Sequence, residues 1–174
     1  MKKRIIVGLV LLVAFTSCTK PEKTGFVNNS ELINEYLGKK DIENKYKQKD
    51  EKAKKKSDSL GQAYQMEALG LQEKLSNMSE KQQQAAAQPF QQKWQMIEQQ
   101  MKSEQQRFQT EFQTEIDSSI VEVADFVESY AKTNGYSYIF GTSDVSRSIM
   151  YGEESNDLTK AILEVLNTNY KEKK

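Results

Sequence analysis

The chain has 174 residues, with 25 basic and 25 acidic side chains, no histidine and a single cysteine. That inventory excludes Ser-His-Asp and Cys-His nucleophilic sites, the common zinc sites and any disulfide within one chain. The balanced total hides an asymmetry: residues 38–107 hold 14 basic and 10 acidic side chains, whereas residues 108–170 hold 3 and 11. The two regions suit either oriented contacts with charged partners or simply solvated helix faces.

Residues 1–17 read as a secretory signal. Lys2, Lys3 and Arg4 precede an apolar run at residues 5–15, followed by Thr16 and Ser17. Eleven residues of helix cover about half of a ~30 Å hydrocarbon layer, so the run is expected to be cleaved rather than to span a membrane. Phe15-Thr16-Ser17-Cys18 resembles a bacterial lipobox, with Phe15 where leucine is more usual. Cys18 is therefore expected to head the mature chain and carry a diacylglycerol; the bland reading is a stray thiol. Loss of Lys2, Lys3 and Arg4 leaves 22 basic against 25 acidic residues.

Residues 18–24 are polar, contain Pro21 and suit a short extended tether. Gly25-Phe26-Val27-Asn28 is a brief strand candidate, and Ser30 is placed to cap the helix that follows. Residues 30–134 then form a helical arm, with only Gly38, Gly61, Gly70 and Pro89 to interrupt it. Ile42, Ala53, Tyr64 and Leu75 recur every eleven residues, with Leu60 and Leu71 as a second row. Phe90, Trp94, Ile97, Met101, Phe108 and Phe112 form a later seam, continued after Gln105 by Ile116, Val123, Val127 and Tyr130.

Two narrow apolar seams on polar helices must face something, and an antiparallel hairpin lets them face each other. Two turn positions fit. One is at residues 76–79, where Ser79 and Gln82 read as a capping box; the other is at Gln88-Pro89. With the first, helices are expected over residues 30–75 and 80–132, the second bent at Pro89.

Asn134-Gly135 reads as a left-handed helix stop. Beyond it, residues 136–141 and 148–152 read as strands separated by a polar loop. A short helix opens at Asn156-Asp157, with Leu158, Ile162, Val165 and Leu166 on one face. The expected fold is α+β, a coiled-coil hairpin inserted in a small β-rich body formed by residues 25–29 and 135–170. Phe26, Val27, Tyr138, Phe140, Ile149 and Tyr151 are its candidate core residues. So small a core calls for sharing between subunits.

Catalytic patterns are missing. The glycines form neither GxxxxGK nor GxGxxG. Glu153-Glu154 lies among turn residues and reads as solvated loop rather than a carboxylate dyad. Lys52, Lys54, Lys55 and Lys56 alternate with Asp50, Glu51 and Asp58, a solvated face rather than a nucleic-acid site. No enzyme, metal or cofactor is expected.

The order of these elements, and above all the pattern from Gly135-Tyr136-Ser137-Tyr138-Ile139 to Val165-Leu166-Asn167, resembles the Skp/OmpH family of periplasmic chaperones. The resemblance implies a jellyfish-shaped homotrimer with a shared β-barrel body and three arms around a cavity. It also implies ATP-independent holding of unfolded outer-membrane proteins. Here a lipid on Cys18 would tether it, on the expected reading to the periplasmic face of the outer membrane. Met66 and Met96 lie off the seam rows and are the candidate client contacts; Tyr64 and Trp94 are read first as seam packing. The competing readings are a coiled-coil envelope lipoprotein acting as spacer or scaffold, and an accessory subunit of an envelope machine.

Overall fold

The computed structural model describes residues 22–143, 146 and 148–174. The signal, Cys18 and most of the tether lie outside them. In chain order the elements are β1 (Thr24–Asn28), α1 (Asn29–Glu35), α2 (Leu37–Leu75), α3 (Glu80–Asn134), β2 (Tyr138–Thr142) and α4 (Thr159–Glu172). A 3-10 turn at Glu154–Asn156 precedes α4.

The first helix starts differently from expectation. Strand β1 runs to Asn28, the last residue with extended backbone, and its side-chain oxygen accepts from the Glu31 N–H at 3.1 Å. Asn28, not Ser30, is the cap, because the strand delivers it to the position from which a side chain reaches three residues on.

The expected helix over residues 30–75 is also broken. Tyr36 is extended, with φ −64° and ψ 123°, between α1 and α2. Its side chain is fully buried and meets the Tyr170 ring edge-on at 5.6 Å. A Cβ at Gly38 would fall 2.4 Å from the Tyr36 ring, so glycine is needed for this close approach.

The hairpin turns at residues 76–79. Gln82 Oε1 accepts from the Ser79 N–H at 3.1 Å and from its hydroxyl at 2.9 Å. Gln83 Nε2 donates to the Leu75 and Met78 carbonyls, both at 3.0 Å, which ties the first turn of α3 to the last residue of α2 and to the loop. Pro89 lies inside α3, so the alternative turn at Gln88-Pro89 is not used. Gly135, at φ 72°, ends α3 in the left-handed conformation.

Strands β1 and β2 pair in parallel, from Thr24 opposite Tyr138 to Asn28 opposite Thr142. Parallel strands need a long crossover, and here the whole hairpin is that crossover. The other edge of β1 is taken by the approach to α4. Leu158 N–H donates to the Phe26 carbonyl at 2.9 Å, and Asn28 N–H donates to Thr159 Oγ1 at 2.9 Å.

Two strand expectations change accordingly. The second strand starts at Tyr138 rather than Tyr136, whose N–H is used by the Ala131 carbonyl in the helix stop. Among the described residues of 148–152 there is no strand. β1 has no free edge to offer them, and at β2 the segment makes a side-chain bond instead, the Ser148 hydroxyl donating to the Gly141 carbonyl at 2.8 Å.

The core gathers both chain ends and the hairpin root: Val27, Leu32, Tyr36, Val123, Leu158, Ile162 and Leu166. Val165, expected on the apolar face of α4, is 41% exposed, and Leu163 and Tyr170 pack against the core instead. The body is thus a strand pair wrapped by helices, with less β structure than expected.

Candidate functional site

Helices α2 and α3 face each other in one antiparallel register along the arm. Near the body, Tyr46 packs against Phe108 and Phe112, ring centres 5.3 and 5.0 Å away, and is only 3% exposed. Its hydroxyl donates to Glu115 at 2.9 Å, beside the Lys45–Glu115 ion pair at 2.7 Å. Farther out come Lys49–Glu111 at 3.5 Å and Lys56–Glu104 at 2.7 Å. A second aromatic knot follows, in which Tyr64 lies 5.3 Å from Phe90 and 5.1 Å from Trp94. Beyond it the polarity of the bridges reverses, with Glu67 on α2 meeting Lys93 on α3.

These pairs set the local electrostatics. Lys45, and then the Tyr46 hydroxyl, hold the Glu115 carboxyl below the usual glutamate range. Lys56 does the same for Glu104, and Lys93 for Glu67. Burial, followed by the hydrogen bond to Glu115, pushes the Tyr46 hydroxyl up to about 12.

Tyr46 did not belong to either expected row. Its signal was present: it stands eighteen residues, or about five helical turns, before Tyr64. Ala53, which the eleven-residue row did include, is exposed.

Between the two aromatic knots the helices part around an open cleft of about 1350 Å³. Ala53, Leu60 and Gly61 line it from α2; Ile97, Met101 and Gln105 line it from α3. Gly61 is exposed, and a Cβ there would meet nothing within 4 Å. The Lys56–Glu104 pair crosses this stretch. Physically, the arm is closed by aromatic contacts at two heights and leaves apolar surface open between them.

The candidate contact residues lie outside this seam. Met66 is 75% exposed and Met96 65%, and Leu69 adds to the exposed apolar surface of the arm. The six candidate body residues separate into three groups. Val27 is buried in the chain's own core, Phe26 and Ile149 are half-buried, and Tyr138, Phe140 and Tyr151 are exposed. Tyr138 and Phe140 stack on one face of β2 with ring centres 5.9 Å apart.

Glu153 and Glu154 are both exposed, at the start of the 3-10 turn. Among the described residues, no group of three or more Cys, Asp or Glu side chains is placed to hold a metal, and no helix is long and apolar enough to cross a membrane.

The sequence matches the family described as Outer membrane protein (OmpH-like) over residues 23–166. Among solved structures, a Caulobacter crescentus CB15 protein named as a candidate outer membrane chaperone (OmpH-like) has a similar fold. The TM-score is 0.71, with 14% identity over 85% of each chain. No curated protein matches the sequence.

Proposed function

The chain belongs to the OmpH-like family, and from that premise we propose that it is an ATP-independent periplasmic holdase that shelters unfolded outer-membrane proteins before their insertion. Family membership supports a chaperone-type role in the periplasm. The observation that carries the finer reading is apolar surface left open along the arm, both in the cleft and at Met66, Leu69 and Met96. Unfolded β-barrel precursors expose alternating apolar side chains. Thioether and amphipathic aromatic groups meet such segments through many weak contacts, which allow release without fuel.

In the same reading the working form is a homotrimer. Among the described residues, strand β2 has one edge without a strand partner, and Tyr138 and Phe140 are exposed beside it. Unpaired backbone and stacked aromatics are the features that a second copy would cover. Cys18 carries the lipid, and the domain organisation follows the chain: signal at 1–17, tether at 18–24, body at 25–29 and 135–170, arm at 30–134.

The direct test is aggregation of a urea-unfolded outer-membrane barrel protein, diluted into buffer with the chain lacking residues 1–18. Stoichiometric trimer is expected to suppress light scattering. An unchanged scattering curve would refute the holdase reading.

A further inference from the structure

Lys23, where the tether joins the body, is fastened at three points. Its carbonyl accepts from the Ser137 N–H at 2.8 Å, its Nζ donates to the Asn134 carbonyl at 3.0 Å, and the same ammonium lies 4.0 Å from the Tyr136 ring centre. Asn134 is the last residue of α3, whose terminal carbonyls and negative dipole end attract a cation. The N-terminal segment therefore leaves the body at the end of α3 farthest from the hairpin turn. The cross-helix contacts run in order from there, through Lys45–Glu115, Lys56–Glu104 and Glu67–Lys93, to Gln83 on the Leu75 carbonyl. Exit and turn stand at opposite ends of a 55-residue helix, about 80 Å apart at 1.5 Å per residue.

The geometry points to the pole around Lys23, Lys132 and Tyr136 as the surface that faces a lipid bilayer, with the hairpin projecting away from the membrane. This rests on the lipid-anchored, trimeric reading above. Residues 19–23 separate Cys18 from β1, and even fully extended they reach only about 20 Å. The occupant is a bilayer rather than a protein because the chain that leads into this pole starts, once the signal is removed, at Cys18, the lipid site of that reading.

The local charge at the pole is Lys23, exposed beside the Asn134 carbonyl, where an anionic headgroup attracts lysine; Lys132, also exposed, is paired with Glu128. In a trimer all three tethers leave from one pole, so the three arms stand off the surface together. The turn at residues 76–79 is then the far end, and a client enters from the side away from the anchoring membrane.

Energy transfer tests this. The full chain, processed in a cell that lipidates it, is reconstituted into phosphatidylethanolamine–phosphatidylglycerol vesicles that carry an acceptor dye on the headgroups. A donor dye is placed on Thr133→Cys at the pole or on Asn77→Cys at the turn, with helicity checked for both. The protein is expected to float with the vesicles, and the Thr133→Cys donor to transfer severalfold more energy than the Asn77→Cys donor. Equal transfer from both would overturn the orientation and leave the anchor standing. Failure to float, or a free Cys18 thiol in the chain without added cysteines, would remove the anchor and this inference with it. Neither outcome alters the aggregation assay, so the holdase reading stands or falls separately.

Discussion

The side-chain oxygen of Asn167 accepts a hydrogen bond from the Leu37 backbone N–H at 2.8 Å, across 130 residues of chain. Its amide also donates to the Glu35 carbonyl at 3.3 Å. One side chain of α4 thus serves both sides of the break at Tyr36, replacing bonds that a continuous helix would have made for itself. Through it the C-terminal helix fixes the angle at which the arm leaves the body.

Replacing Asn167 by Ala leaves the Leu37 N–H unpartnered in a partly buried place and is expected to cost about 1–2 kcal/mol. Asn167→Asp keeps the acceptor and should lose less. Urea unfolding followed by helicity separates them, and equal losses would contradict the assignment.

Two leucines in the helical region separate core from surface. Leu32 is fully buried, whereas Leu69 is 67% exposed. Leu32→Ala is expected to cost about 3 kcal/mol by leaving a cavity, and Leu69→Ala no more than about 0.5 kcal/mol. Thermal unfolding of the two variants checks the order.

The Tyr46–Glu115 contact predicts opposite responses at the two ends of the pH scale. The Tyr46 hydroxyl is raised in the folded chain, so its contribution is full below the ordinary tyrosine value of about 10 and fades as pH rises through the folded value of about 12. Glu115 is lowered, so its contribution is present above the ordinary glutamate value and fades as pH falls through the folded one. Phenolate absorbance should show a group of tyrosines ionising late, because burial raises Tyr36 and the hydrogen bond to Asp41 raises Tyr170 as well, and Tyr46→Phe should remove one tyrosine from that group.

Assembly should depend on the exposed face of β2. Tyr138→Asp with Phe140→Asp is expected to shift sedimentation equilibrium from three subunits toward one, because two charges would be buried without partners. The single chain should keep its helicity, since both residues are exposed in it. A trimer unchanged by the pair would place the subunit contact elsewhere.

Client holding should depend on the arm's outer surface. Met66→Gln with Met96→Gln leaves the seam intact, so the melting temperature should stay within about 2 °C, as for surface changes. Suppression of aggregation should weaken severalfold at equal trimer concentration. Undiminished suppression would move the client contact to the cleft.

The arm was legible in the sequence because its signals are local. A sparse set of glycines, apolar spacing near 3.6 residues and the Ser79–Gln82 box act within one or two turns, and they located two long helices and the bend between them. Gly135 worked the same way, since a left-handed stop needs only the residue itself. By contrast, the cap at Asn28, the break at Tyr36 and the missing strand at residues 148–152 depend on partners over a hundred residues away, or on which sheet edge is already taken. Asn167, Thr159 and Leu158 make those decisions, and no window of sequence contains both halves of any such pair. Tyr46 lies between these cases: its spacing from Tyr64 was visible, but only the folded hairpin places Phe108 and Phe112 around it. Periodicity says which residues seek cover; the tertiary structure alone decides what covers them.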